Sequence, residues 1–204
     1  RQMDELFPLY HSWGVKGVKF GFVQVGSQEW TAWLHKAVAL AARQELMVDV
    51  HDEYRPTGFS RTYPNLMTQE GVRGDEEKQP NHQALTTLFT RLLAGAADNT
   101  ICYYDPRVVA NSYHAYQLAK MVCFYSPWQF VFWYDRPSPA PAGAPEHNVI
   151  GDEPELEFFA HCPTVWDETR VLQGEIGEYA VIARRSGRSW FIGCMNARRP
   201  RTLT

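Results

Sequence analysis

Between Val48 and Glu77 the sequence VDVHDEYRPTGFSRTYPNLMTQEGVRGDEE gathers seven carboxylates: Asp49, Asp52, Glu53, Glu70, Asp75, Glu76 and Glu77. A run of acids is usually solvated surface. Paired acids can also move protons, one donating while the other accepts, and clustered carboxylates can hold a hard cation that wants about six to eight oxygens. Pro56, Gly58, Pro64, Gly71 and Gly74 punctuate this stretch, and Tyr54, Phe59, Tyr63 and Leu66 give it bulk. That composition belongs to a folded segment rather than to a disordered acidic tail.

The flanking elements must position these acids. Gly14 to Val23, GVKGVKFGFV, is short, apolar and β-branched, and reads as a buried strand. Ser27 is placed to cap a helix in which Trp30, Trp33, Leu34, Ala37, Val38 and Ala41 fall at helical spacing. ELMVDVH then reads as a second buried strand, which makes a parallel βα unit. His51, Asp52 and Glu53 follow that strand directly, where α/β folds gather their ligands.

Downstream, residues 84–96 and 108–125 read as helices and Trp128 to Tyr134 as a strand. A Pro-rich linker, DRPSPAPAGAPEHN, follows, and EYAVIARRSGRSWFIGCMNA reads as an antiparallel hairpin turning at Ser186-Gly187. The expected fold is α/β: part of an eight-stranded βα barrel over 1–150, then a segment of antiparallel β-sandwich over 151–204. Half a barrel has open edges, so residues upstream are expected. The alternative is a small open α/β sheet.

At 204 residues, 45% of them hydrophobic, the chain can bury a sizeable core. A net charge of −3 provides no basic field for a phosphate backbone, so nucleic acid is excluded as a partner. No apolar run approaches the roughly 18 residues a membrane-spanning helix needs. Cys102, Cys123, Cys162 and Cys194 form no CxxC or Cys/His ligand spacing and read as buried reduced thiols.

RPTGFSRTYPNLMTQEGVRGDE, LFTRLLAG and PTVWDETRVLQGEIGEYAVIARR resemble glycoside hydrolase family 97 in order along nearly the whole chain. The resemblance implies a calcium-dependent α-glucosidase or α-galactosidase. It also implies a periplasmic or secreted protein, with an N-terminal β-sandwich and early barrel strands upstream of this segment. Cleaving a glycosidic bond needs one carboxylic acid to protonate the leaving oxygen and a second carboxylate opposite it.

By resemblance, Glu76 falls at the general acid and Glu70 at a calcium ligand. Asp52 falls where the inverting branch has a Glu that binds calcium and holds the attacking water. Asp52, Glu70 and Glu76 are thus the expected metal ligands, and His51 and Glu53 the expected substrate contacts. Gly21 stands where the retaining branch carries an Asp nucleophile, so the expectation is an inverting exo-acting enzyme on α-linked oligosaccharides. Glu29 and Glu53 are the candidates for a second base. Arg61 and Arg73 are candidates to orient carboxylates by bidentate pairing, and Trp128, Trp133 and Tyr134 either stack on a sugar or belong to the core. Two rivals stay open, a carbohydrate-binding relic and an inactive fragment.

Overall fold

A computed structural model of the chain describes residues 2–52, 54–103, 113–132 and 152–203. They form two compact units. The first comprises Arg1–Val72, Ala94–Asp98 and Ser126–Trp128, and the second Arg73–Leu93, Asn99–Tyr125 and Gln129–Thr204. Glu53, Trp133, Tyr134, the Pro-rich linker and the expected domain boundary at 150 lie outside the described residues.

In the first unit, three parallel strands, β1 (Gly17–Phe20), β2 (Met47–Val50) and β3 (Leu66–Gln69), lie side by side in that order. The crossover from β1 to β2 is helix α2 (Gln28–Arg43). Ser27 caps it as expected, its hydroxyl accepting a hydrogen bond from Trp30 N at 3.1 Å. The apolar stripe Leu34, Val38 and Ala41 packs with Val48, Val50 and Leu66. Full burial of each of these leucine and valine side chains stabilises the unit by about 1.5 to 3 kcal/mol.

Three details differ from the sequence reading. Strand β1 stops at Phe20 instead of reaching Val23, because Phe22 has φ 57° and the chain turns away from the extended region. Helix α1 (Gln2–Ser12) precedes it and buries Phe7. Strand β3 was hidden in the acidic segment. Its polar Thr68 is buried because the hydroxyl of Ser126 donates to Thr68 Oγ1 at 2.9 Å.

In the second unit, helix α3 (Asn81–Phe89) ends well short of residue 96, and a 3-10 turn follows at Arg91–Ala94. Thr86 and Thr90 turn their hydroxyls back onto His82 O and Thr86 O, which loosens the helical ladder at its end. Strands β4 (Ile101–Cys102) and β5 (Val131–Phe132) pair in parallel. Helix α4 (His114–Cys123) lies between them in sequence, and helix α5 (Leu156–His161) follows.

The expected hairpin is present as β7 (Tyr179–Ser186) and β8 (Ser189–Asn196), turning through Gly187 at φ 58°. It is joined by β6 (Glu168–Glu175) in an antiparallel sheet of order β6-β7-β8. Gly193 lets this sheet meet α4 closely: a Cβ there would lie 2.6 Å from Cys123 Sγ and 2.8 Å from Ala119 O. Cys102, Cys123 and Cys162 are buried free thiols, but Cys194 is exposed, because it faces away from α4 on alternating strand β8. The fold is thus mixed, with parallel strands and helices followed by one antiparallel sheet. No described helix is long and apolar enough to cross a membrane.

Candidate active site

The sheet of the first unit has two unlike faces. Val18, Phe20, Val48 and Val50 join the apolar core, so alternation turns Lys19 and Asp49, which are register partners, to the other face. Backbone hydrogen bonds carry the order past the strand ends. His51 N donates to Phe20 O at 2.8 Å, Glu70 N to Val50 O at 2.8 Å, and Gly71 N to Asp52 O at 2.9 Å. Asp98 arrives beside β3, where its N donates to Gln69 O at 3.1 Å.

These side chains form one charged cluster. Asp98 Oδ2 lies 2.8 Å from Lys19 Nζ and 2.8 Å from His51 Nδ1. Lys19 Nζ is 3.5 Å from Asp49 Oδ2, and His51 Nδ1 is 3.5 Å from Glu70 Oε2. Asp49, Asp98 and Glu70 are all buried, and the acids outnumber the two basic groups.

Proton positions adjust to that imbalance. Burial, and then the charge of Asp98, pushes the Asp49 carboxyl up to about 9. A hydrogen bond from the protonated Asp49 carboxyl to Asp98 adds to that rise. Burial alone would raise Asp98 as well, but hydrogen bonds from His51, Asp49 and Lys19 outweigh it and hold Asp98 below the usual carboxylate range. The bond to Asp98 lifts His51 to about 9. Burial lifts Glu70 to about 7, against the opposing pull of His51, so Glu70 can exchange a proton near neutral pH.

Of the expected site residues, His51, Asp52 and Glu70 come together, each offering a ligand atom within 4.8 Å of the others. Asp52 sits at φ 67°, and its Oδ2 accepts from Val23 N at 2.8 Å, so one oxygen is committed to the loop after β1. The two carboxylates match calcium in donor type but supply only part of its oxygen shell. The imidazole Nδ1 is engaged by Asp98 and suits a hard cation less well.

Glu76 lies in the second unit, on the 3-10 turn Asp75–Glu77. Buried Asp75 anchors that turn, its two oxygens accepting from Lys120 Nζ at 2.5 Å and Asn99 Nδ2 at 3.0 Å. Gly21 is exposed, and a Cβ there would meet nothing within 4 Å, so crowding does not forbid a side chain. Glu29 is exposed in the first turn of α2. Arg73 donates to Glu77 O and to the Gln83 amide rather than to a carboxylate. Sequence reasoning missed Lys19, Asp49 and Asp98. The available signal was a charged residue inside each of the two apolar strands GVKF and MVDV.

Comparison with known proteins agrees with the resemblance. The family model described as Glycoside hydrolase 97 matches residues 1–72, and the one described as Glycosyl-hydrolase 97 C-terminal, oligomerisation matches residues 165–204. The chain is 33% identical to "Retaining alpha-galactosidase" of Bacteroides thetaiotaomicron, covering 95% of this chain and 30% of that protein. It is 36% identical to "Probable retaining alpha-galactosidase" of Streptomyces bingchenggensis, covering 94% and 29%. The chain therefore spans about 30% of the length of the curated relatives it matches. A glycoside hydrolase family 97 enzyme from Pseudoalteromonas sp. strain K8, solved with acarbose, superposes with TM-score 0.77 at 29% identity over 99% of this chain and 35% of that one. Both curated names say retaining, which runs against the inversion expected from Gly21. With two family models together covering more than half of its residues, the chain belongs to glycoside hydrolase family 97, as a C-terminal part of a member.

Proposed function

We propose that this chain contributes catalytic carboxylates to a hydrolase of α-linked glycosides, with α-galactosides the first substrates to test and α-glucosides the second. The observation that carries the reading is the convergence of His51, Asp52 and Glu70 just past the ends of parallel strands, in a member of this family. The curated relatives' names support galactosides, and the Pseudoalteromonas enzyme solved with acarbose and with panose supports glucosides. The parallel β1-β2-β3 order with its α2 crossover is what a portion of a βα barrel requires.

In this reading Glu76 protonates the leaving oxygen, and Asp52 and Glu70 supply the opposing carboxylate chemistry. His51, with Glu53 as the further residue expected from the sequence, contacts substrate hydroxyls. Asp52 and Glu70, with Glu76 as the further ligand expected from the resemblance, would hold calcium, which polarises a bound water or sugar hydroxyl when present. The buried setting of Glu70, in a cluster where acids outnumber bases, favours such a cation, which would offset the cost of ionising it.

Retention, as the relatives' names state, is the course to test first. It needs a carboxylate nucleophile about 5 to 5.5 Å from the acid, and Gly21 cannot serve. Glu76→Gln in the complete protein is expected to cut turnover of an unactivated disaccharide about a hundredfold or more. On a nitrophenyl glycoside, whose leaving group needs little protonation, the loss should be far smaller. Equal losses on both substrates would remove Glu76 as the acid.

A further inference from the structure

Three features of the first unit converge on a residue that takes no part in the roles above. Asp98 is almost wholly buried, with a side-chain exposure of 0%. A single oxygen of it, Oδ2, meets two bases that come from different strands: Lys19 on β1 and His51 just after β2, each at 2.8 Å. Both partners are only partly covered, with side-chain exposures of 25% for Lys19 and 15% for His51.

The arrangement has a buried anchor and two half-open ends. A lysine has a long flexible stem and gives up rotamer freedom only to a strong partner. A histidine bonded at Nδ1 by a carboxylate has its ring plane and its proton position fixed. Asp98 itself is fixed by backbone, since its N donates to Gln69 O and Ala97 forms a parallel bridge with Gln69.

The geometry points to Asp98 as the positioning residue of the site: one buried carboxylate aligns the Lys19 ammonium and the His51 imidazole so that both can grip neighbouring hydroxyls of a sugar ring. This inference rests on the glycosidase reading. Asp98 is buried, and in this role it acts through Lys19 and His51.

The test compares the complete wild-type protein with Asp98→Asn on nitrophenyl α-galactoside, nitrophenyl α-glucoside and their monodeoxy analogues. Asparagine keeps the shape and removes the charge. The expected loss in kcat/KM on the parent sugar is about tenfold to a hundredfold, the range for removing a carboxylate behind a working histidine. That loss should shrink to about twofold on the deoxy analogue lacking the gripped hydroxyl. A merely structural role would lower every substrate alike, and a uniform loss, or none, overturns the inference.

Proton-coupled nitrogen NMR of the wild type provides a second reading that needs no variant to fold. A proton on His51 Nδ1 across about pH 5 to 8 is expected, and an unprotonated Nδ1 overturns the inference. A wild type inactive on every glycoside overturns the parent reading and with it the role of Asp98. An active wild type with a uniform loss in Asp98→Asn overturns the role of Asp98 alone.

Discussion

The two compact units each bury a lysine's partner, and they do so in opposite ways. In the first unit, Lys19 and His51 face Asp49, Glu70 and Asp98, an excess of acid on a half-open face. In the second, Lys120 is 1% exposed and meets one acid, Asp75, with Gln79 and Asn99 completing the hydrogen bonds. The closed pair balances its charge, which suits a structural tie that holds the turn bearing Glu76. In the open cluster burial raises Asp49 and Glu70, with the charge of Asp98 adding to it, and leaves groups able to take up a cation or a proton. Charge imbalance, more than burial, separates the two clusters.

The largest effect should come from breaking the closed pair. Lys120→Met strands a buried carboxylate, and is expected to cost about 3 to 5 kcal/mol in denaturant unfolding. A cost below about 1 kcal/mol would mean that water reaches Asp75 and that the pair is not closed.

The open cluster should instead show itself through pH. Asp49 and Glu70 keep protons in the folded state that the unfolded chain releases above about pH 4. Their contribution therefore fades as pH rises, through about 7 for Glu70 and about 9 for Asp49. His51 has the same sign, since its stabilisation is full below about pH 6.5 and is lost as pH climbs through about 9. With calcium chelated, the melting temperature should fall steadily from about pH 5 to about pH 9, and Glu70→Gln should flatten the portion near neutrality. A melting temperature that rises over that interval would contradict the cluster's protonation.

The smallest effect concerns the packing around Lys120. Cys123 ends the same helix, α4, and burial pushes its thiol up to about 12; Cys162 is pushed up to about 11 in the same way. At about pH 8 a thiol reagent should label only Cys194 quickly, with Cys123 following in Lys120→Met. Rapid labelling of Cys123 in the wild type would show that the closed region opens readily.

The sequence made the β1-α2-β2 unit legible, because its apolar residues alternate between strand and helix periods and Ser27 marks the helix start. It also pointed to His51 and Asp52, since a strand end followed by acids is a local pattern, whereas Glu70 was reached only through the family resemblance. Strand β3 was not legible. Its buried Thr68 and Gln69 read as polar surface until Ser126, far along the chain, satisfies Thr68. Asp98 escaped for a similar reason: His51 lies 47 residues away, and no local spacing announces that bond. Asp75 and Lys120, 45 residues apart, escaped likewise. The expectation of inversion rested on the side chain missing at Gly21, and the curated relatives' names, which say retaining, run against it.

The most direct test measures activity per folded molecule, together with the melting temperature, for Glu70→Gln and Lys120→Met in the complete protein. The open cluster as the working region predicts that Glu70→Gln loses turnover about a hundredfold while melting near the wild-type temperature. Lys120→Met, which strands the Asp75 anchor of the turn bearing Glu76, should melt much lower. Full activity in Glu70→Gln, or its melting as low as Lys120→Met, would contradict the assignment of chemistry to the first unit's cluster.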